Sequence, residues 1–315
     1  MAARVLVVGE ALVDVRIDER DGAGPDPRSE HTGGSPLNVA VALARLGVST
    51  TLAAQVGDDA HGKQIEAHLE ASGVDLVRLS PTRRTSTATA RIGADGGAGY
   101  EFDLTWDPSE LPSPEGFDAV HVGSIAAALA PGADAVASLV FSAAAAGVPV
   151  SLDPNVRPQI TPQLGDVRLR IEVLEACATV IKLSDEDAAL LRPGLPLDRV
   201  VTDLAGAGRT QLAVLTKGSG GLLLSNGGGP VLVPAPQTPV VDTIGAGDTV
   251  TAALLAGLLS RGLPVQDGAI SDADAVAVAQ LAVGAAAVTC ARPGADAPWR
   301  HELRGFEPNG MDAHP

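Results

Sequence analysis

Apolar residues in this chain form short unbroken runs, and helical patterns lie between them. Val5-Leu6-Val7-Val8 is such a run, as expected of a strand covered on both faces in a parallel sheet. A helix is predicted over residues 35–46: Ser35 suits its N-cap, Pro36 its first turn, and Gly47 its end. Strands are predicted at 51–56, 119–122, 149–153, 180–183, 212–216 and 222–224. Helices are predicted at 61–72, 133–146 and 185–191, the first two closed by Gly73 and Gly147. Two long Ala-rich helices, 246–261 and 272–289, complete the pattern. Strand and helix in alternation predict an α/β fold, a doubly wound, mostly parallel sheet with helices on both faces.

Two segments interrupt the alternation. Residues 13–32 and 85–104 carry short β-like runs and turn residues without a helix, and Asp95-Gly96-Gly97 reads as a hairpin turn. They are assigned to a small β lid. The large domain then comprises 1–12, 33–84 and 105–305, and 306–315 is expected to be a flexible tail.

Composition narrows the function. With 22 basic and 38 acidic residues the formal charge is −16, which argues against a nucleic-acid partner. Aromatic residues are scarce, so base stacking is a poor basis for recognition. No apolar run reads as a membrane span, and the short N-terminal run reads as a strand, not a signal peptide. Cys177 and Cys290 lie in apolar segments, as buried free thiols of a reducing compartment would. The expectation is a soluble cytoplasmic protein with no membrane partner.

The chemistry concentrates in Asp242-Thr243-Ile244-Gly245-Ala246-Gly247-Asp248. A Gly-Ala-Gly turn at a helix start leaves backbone N–H groups unobstructed, and the helix dipole favours an anion there. Asp248 in the first turn can take a proton from a hydroxyl that attacks a phosphate. The same residues also fit a plain Gly-rich loop before an acidic helix start. There is no Gly-x-x-x-x-Gly-Lys-Ser/Thr, and a dinucleotide fingerprint would need glycine where Val250 stands.

Five further clusters each admit two readings. Gly33-Gly34-Ser35-Pro36-Leu37-Asn38 can grip sugar hydroxyls or simply begin a helix. Asp14 follows the first strand, where ligands bind in open α/β sheets, but also suits a solvated loop. Thr216-Lys217-Gly218-Ser219-Gly220-Gly221 suits phosphate contact or a hairpin turn. In Asp153-Pro154-Asn155-Val156-Arg157, Asp153 or Asn155 can orient water around a metal and Arg157 can reach an anion or hydroxyl, or the segment is a capped turn. Ser184 can cap the following helix with Asp187 at its third position, or the acids 185–187 can hold hydrated Mg²⁺. The six histidines show no metal-ligand spacing.

Taken together and in this order, the motifs resemble the ribokinase-like (PfkB) family of sugar kinases over nearly the whole chain. Gly33-Gly34-x-x-x-Asn38 is similar to its first signature and Asp242-Thr243-x-Gly245-Ala246-Gly247-Asp248 to its second. The resemblance implies an ATP-dependent kinase with Mg²⁺. Asp248 would be the base, and Gly245, Ala246 and Gly247 the anion hole. Asp14, Gly33, Gly34, Asn38, Phe102 and Arg157 would hold the sugar. Lys182, Ser184, Thr216, Gly218 and Gly221 would serve the nucleotide. Asp187 would reach Mg²⁺ through water, and Asp242 and Gly294 a monovalent cation such as K⁺. Relatives often pair through the lid, so a homodimer is expected. Gly9-Glu10-Ala11-Leu12-Val13-Asp14, Lys182-Leu183-Ser184 and Cys290-Ala291-Arg292-Pro293-Gly294-Ala295 resemble bacterial fructokinases. Kinases for 2-keto-3-deoxygluconate share several of these, but tend to carry a basic residue where this chain has Leu104. The implied acceptor is therefore a neutral hexose, with fructose first.

Overall fold

The computed structural model describes residues 3–18, 28–93, 98–262 and 269–303. The chain opens with β1 (Arg4–Val8), β2 (Leu12–Asp18), β3 (Arg28–Gly33) and α1 (Ser35–Arg45). It continues through β4 (Ser49–Ala54), α2 (Ala60–Ala71), β5 (Val74–Arg78), β6 (Ser86–Ile92) and β7 (Ala98–Asp103). The middle holds β8 (Ala119–Gly123), α3 (Gly132–Ala146), β9 (Val150–Asp153), α4 (Leu164–Glu175), β10 (Val180–Ser184), α5 (Asp185–Leu191) and α6 (Leu197–Ala205). The last elements are β11 (Leu212–Thr216), β12 (Leu222–Ser225), β13 (Val231–Val233), α7 (Ala246–Ser260) and α8 (Asp272–Cys290).

Nine strands form the main sheet in the order β13-β12-β11-β10-β9-β8-β1-β4-β5. All neighbours from β11 to β5 pair in parallel, and β12 and β13 add antiparallel at one edge. Alternate residues of β1 divide between two cores. Val5 and Val7 pack with residues of α1, α7 and α8, while Leu6 and Val8 pack with residues of α3, α4 and α6. Both faces are therefore covered, and the central strands need no polar alternation. This is the doubly wound sheet expected from the alternating pattern, and it agrees with the fold that the resemblance implies. Because β1, β9, β10 and β11 run the same way, their C-terminal ends, and Glu10, Asp153, Ser184 and Thr216 at or just past them, share one edge.

A second sheet, ordered β3-β2-β6-β7, pairs β2 with β6 in parallel and closes antiparallel on both sides. Its strands come from the two segments that lacked a helical pattern. The expected Asp95-Gly96-Gly97 turn and the tail lie outside the described residues.

Several expectations change. Ser35 does not cap α1. Gly34 takes that place at φ 104°, where a Cβ would meet Glu10 O at 2.6 Å, and the Ser35 hydroxyl is used elsewhere. The elements β5, α4, α6 and β13 add to the predicted set. The cysteines are half-buried, not buried. Helix α8 is long and apolar enough to cross a membrane by length and composition, contrary to the sequence reading. Half of it is buried, and it meets α7 closely where a Cβ on Gly257 would lie 3.1 Å from Val278.

Asp59 ties the two sheets together. One carboxylate oxygen accepts from Gly62 N–H at 2.8 Å as the cap of α2 and from the Thr85 hydroxyl at 2.7 Å. The other accepts from Thr85 N–H at 2.9 Å, just before β6. Asp59→Ala is expected to cost about 2 kcal/mol, the upper range for a lost cap. Urea unfolding measures this, and a loss under about 0.5 kcal/mol would make the tie dispensable.

Candidate functional site

Helix α7 begins at Gly245, in the left-handed region at φ 74°. A Cβ there would lie 2.6 Å from the Cβ of Ala295, so the C-terminal loop requires glycine at this position. The first i→i−4 bond of α7 is donated by Thr249 N–H to Gly245 O at 2.8 Å. The N–H groups of Gly247 and Asp248 precede it and point out of the helix start. Ala246 N–H donates to Thr243 O at 3.2 Å, which tightens the turn.

Asp248 lies in this first turn, half-buried. Ser35 Oγ donates to it at 2.6 Å and Asn38 Nδ2 at 2.8 Å. Helix α1 thus presents the first glycine motif directly to the second. Burial pushes the Asp248 carboxyl above the usual carboxylate range, and Asp153 adds to this. The bonds from Ser35 and Asn38 and the charge of Lys182 oppose it.

Below the turn lies a buried ion pair. Lys182 Nζ on β10 donates to Asp153 Oδ2 on β9 at 2.9 Å, and Thr251 Oγ1 of α7 donates to the same oxygen at 2.9 Å. The other oxygen of Asp153 has no hydrogen-bond partner among the described residues. A Cβ on Gly247 would lie 3.0 Å from Lys182 Nζ. Beside this pair, on β8, His121 is buried and bonded through Nδ1 to Ser151 Oγ at 3.1 Å. Burial, with help from Lys182, lowers it to about 3, so it is neutral.

On the other side of the turn a cleft of about 570 Å³ opens. Thr216, Gly218 and Gly221 line it, opposite Ala246, Gly247 and Cys290. Gly221 has φ 88°, and a Cβ there would meet Val233 O at 2.1 Å, so the loop floor is bare backbone. Lys182 and Ser184 do not line this cleft: Lys182 lies under Gly247, and Ser184 caps α5.

The first glycine motif faces the four-stranded sheet. Asp14 on β2 is close enough to Gly33 that a Cβ there would lie 2.1 Å from Asp14 Oδ2. Phe102 on β7 is half-buried and stacks on Tyr100, ring centres 6.3 Å apart. Arg157 is exposed and donates to the neighbouring Val156 O.

The pfkB family of carbohydrate kinases matches this chain over residues 2–302. The chain belongs to that family. It is therefore a phosphotransferase with an alcohol acceptor. It is 31% identical to a fructokinase of Klebsiella pneumoniae over 312 residues, 96% of this chain and 99% of that protein. The crystal structure of fructokinase from Vibrio cholerae O395 in fructose, ADP and calcium ion bound form superposes with a TM-score of 0.79 at 25% identity. The match covers 97% of this chain and 99% of that one. The fructokinase of Xylella fastidiosa with bound ATP gives a TM-score of 0.81 at 26% identity, over 96% and 97% of the two chains.

The bare backbone of the Gly218–Gly221 turn and the small side chains of Ala246 and Gly247 suit a nucleotide in the cleft of this kinase. Metal ligation is less provided for. No group of three or more His, Cys, Asp or Glu side chains placed to hold a metal occurs among the described residues. Asp187 is buried with both oxygens engaged, Oδ1 by Val156 N–H at 2.8 Å and Oδ2 by Ser184 N–H and Oγ. The capping box read from the sequence is therefore formed. The two oxygens of Asp242 accept from Ile244 N–H and Gly294 N–H, which holds its carboxyl below the usual range and joins the second signature to the C-terminal loop.

Sequence reasoning left out three parts of this site. Thr251 lies one turn beyond Gly247 and was hidden in an apolar helical run. Cys290 was read as buried packing. Glu10 was only part of a motif, yet it is buried past the end of β1 and accepts from Ala126 N–H at 3.3 Å. Burial pushes its carboxyl up to about 7, against hydrogen bonds from Ser124 and Ala126, and Asp248 adds a small repulsion. A raised acid is stabilising only while protonated: the folded state binds the extra proton between pH 4.5 and 7, so stability falls across that window. Glu10→Gln cannot ionise. Its stability relative to the parent should rise by up to about 3 kcal/mol between pH 4.5 and 8. Urea unfolding at both pH values reads this, and a difference independent of pH would contradict it.

Proposed function

We propose that this kinase transfers the γ-phosphate of ATP to a hydroxyl of a neutral ketohexose, with fructose the first choice. The observation that carries this is the placement of Asp248, held by Ser35 and Asn38 and next to the N–H groups of its own helix start. The sugar lies between the first glycine motif and the four-stranded sheet, within reach of Asp14, Gly33, Gly34, Asn38 and Phe102. Asp248 accepts the hydroxyl proton. The freed oxygen bonds to the γ-phosphorus as the bond to the β-phosphate oxygen breaks, and ADP leaves. The Gly245–Gly247 turn takes the negative charge that develops. Mg²⁺, when bound with ATP, would neutralise phosphate charge, a role that needs few direct protein ligands. Asp187 would reach such an ion only through water.

The curated fructokinase relatives and the fructose-bound structure of Vibrio cholerae support fructose over other acceptors. Leu104 offers no partner for the carboxylate of a keto-deoxy acid. The four-stranded sheet, formed by β2, β3, β6 and β7, acts as the lid that excludes water. Tyr100 is exposed on its edge strand β7, beside Phe102, where a second copy can cover it and make a homodimer. The Asp242–Gly294 link is where K⁺ would act.

The test is ADP release with Mg·ATP and fructose, tagatose, ribose, glucose, 2-keto-3-deoxygluconate or adenosine, each with and without K⁺. Fructose should give saturable release. Asp248→Asn should keep the fold and lower kcat by about a thousandfold or more. A tenfold preference for another acceptor would displace fructose, and a variant within tenfold of the parent would remove Asp248 as the base.

A further inference from the structure

Asp248 meets α1 through both of its oxygens, and the two contacts differ in kind. Ser35 Oγ donates to Oδ1 at 2.6 Å, and Asn38 Nδ2 donates to Oδ2 at 2.8 Å. Ser35 is buried, at 8% exposure, and the backbone on either side of it is clamped. A Cβ on Gly34 would meet Glu10 O at 2.6 Å, and one on Gly9 would meet Pro36 Cγ at 2.3 Å. The helix does not use the Ser35 hydroxyl, because Gly34 stands at the cap. Among the described residues that hydroxyl is bonded to Asp248 alone.

Asn38 is placed otherwise. It lies about one turn further along α1 and is only half-buried. Its amide keeps a second N–H and a carbonyl that have no partner among the described residues. A ligand arriving from solvent therefore meets Asn38 before Ser35 and finds free amide groups there. The difference bears on the base. A donor on a carboxylate oxygen makes that oxygen less basic, so the oxygen that takes a proton is the one whose donor moves away. Asn38, half-exposed and with a new partner in the sugar, is the donor that can leave. Ser35, buried and without an alternative partner, stays.

We propose that the two oxygens of Asp248 have separate tasks: Ser35, a positioning residue, holds Oδ1 throughout the reaction, while Oδ2, released by Asn38 as the sugar arrives, takes the hydroxyl proton. The proton passes from the sugar oxygen to Oδ2. That sugar oxygen bonds to the γ-phosphorus as the bond to the β-phosphate oxygen breaks. Asn38 turns its amide to the sugar in the same event, so the base gains strength only when an acceptor is present. This couples proton abstraction to sugar binding and disfavours transfer of the phosphate to water. The inference rests on Asp248 being the base. Asp248 also faces Asp153 from β9, Lys182 from β10 and Glu10 from the end of β1. Those groups do not change when Ser35 or Asn38 is replaced, so differences between such variants read the two donors.

The experiment is the pH dependence, from about pH 5 to 9, of two quantities for the sugar the parent prefers. One is kcat/KM, which titrates the free enzyme. The other is the rate of the first turnover at saturating sugar and Mg·ATP, which titrates the complex. Ser35→Ala should move the acidic limb of both profiles up by about half a pH unit or more, as loss of a donor to a carboxylate does. Its KM for the sugar should stay within about threefold of the parent. Asn38→Ala should raise that KM and move the limb of kcat/KM, but not the limb of the first turnover. Ser35→Thr keeps the hydroxyl and should keep both limbs near those of the parent. Because Gly34 stands at the cap, Ser35→Ala takes no cap from α1. If it nevertheless fails to fold, Ser35→Cys, nearly isosteric and a weaker donor, replaces it with the same expected directions. A first-turnover limb unmoved in the Ser35 variant, or moved as far in Asn38→Ala, overturns the inference and leaves Asp248 as the base. An inactive parent, or an Asp248→Asn variant within about tenfold of it, overturns the functional reading and the inference with it.

Discussion

The first turn of α7 is the constraint from which the rest of the site follows. For the proposed reaction, that turn must bring bare backbone to a phosphate, stand a carboxylate beside it, and hold both from behind. Gly245 meets the first need, because its left-handed φ and the contact with Ala295 exclude any side chain. Ser35 and Asn38 hold Asp248 from the α1 side, and the Lys182–Asp153 pair lies against Gly247 from the sheet side. Each contact comes from a different element, so the turn is correct only when α1, β9, β10 and the C-terminal loop are all in place. Catalysis by preorganised groups needs this, since a group free to reorient loses much of its electrostatic advantage.

The parallel sheet delivers these elements cheaply. Parallel neighbours put all their C-terminal ends on one edge, so Asp153, Ser184 and Thr216 arrive together although they are far apart in sequence. The antiparallel β11–β12 turn then adds Gly218 and Gly221 at the same edge as a backbone wall of the cleft. Helix α7 returns after β13 and lays its start across this edge. The close approach of α8 at Gly257 fixes its far end, and Asp242 fixes the chain just before it through Gly294.

Much of this was legible in the chain because the residues concerned obey local rules. The apolar run of β1, the Ser184–Asp187 capping box and the glycines of the second signature each carry their reason in neighbouring residues. Helices α4 and α6 were not read from the chain, although Leu164, Val167, Ile171 and Leu174, and Leu197, Val200, Val201 and Leu204, stand at helical spacing, because the charges between them mask the stripe. Ser35 shows where local rules fail. Its position before Pro36 is that of a cap, yet tertiary contact gives its hydroxyl to Asp248 and leaves the cap to Gly34. Glu10, Thr251 and the pairing of Lys182 with Asp153 had no local signal, because each is defined by a partner on another strand or helix.

The charge of the whole chain sharpens what the site must do. At −16 the protein's field works against a polyanionic nucleotide, and more so against an acidic acceptor. Against that field, short-range elements can still attract: oriented N–H groups at a helix start and a cation sealed in the interior. Lys182 is such a cation: burial protects it from screening, while Asp153 keeps it from being a free charge in a low dielectric. The same reasoning bears on the acceptor. Leu104, just past the end of β7, offers a second carboxylate no partner. A neutral sugar, held on the proposed reading through hydroxyl contacts to Asp14 and Asn38, asks for none.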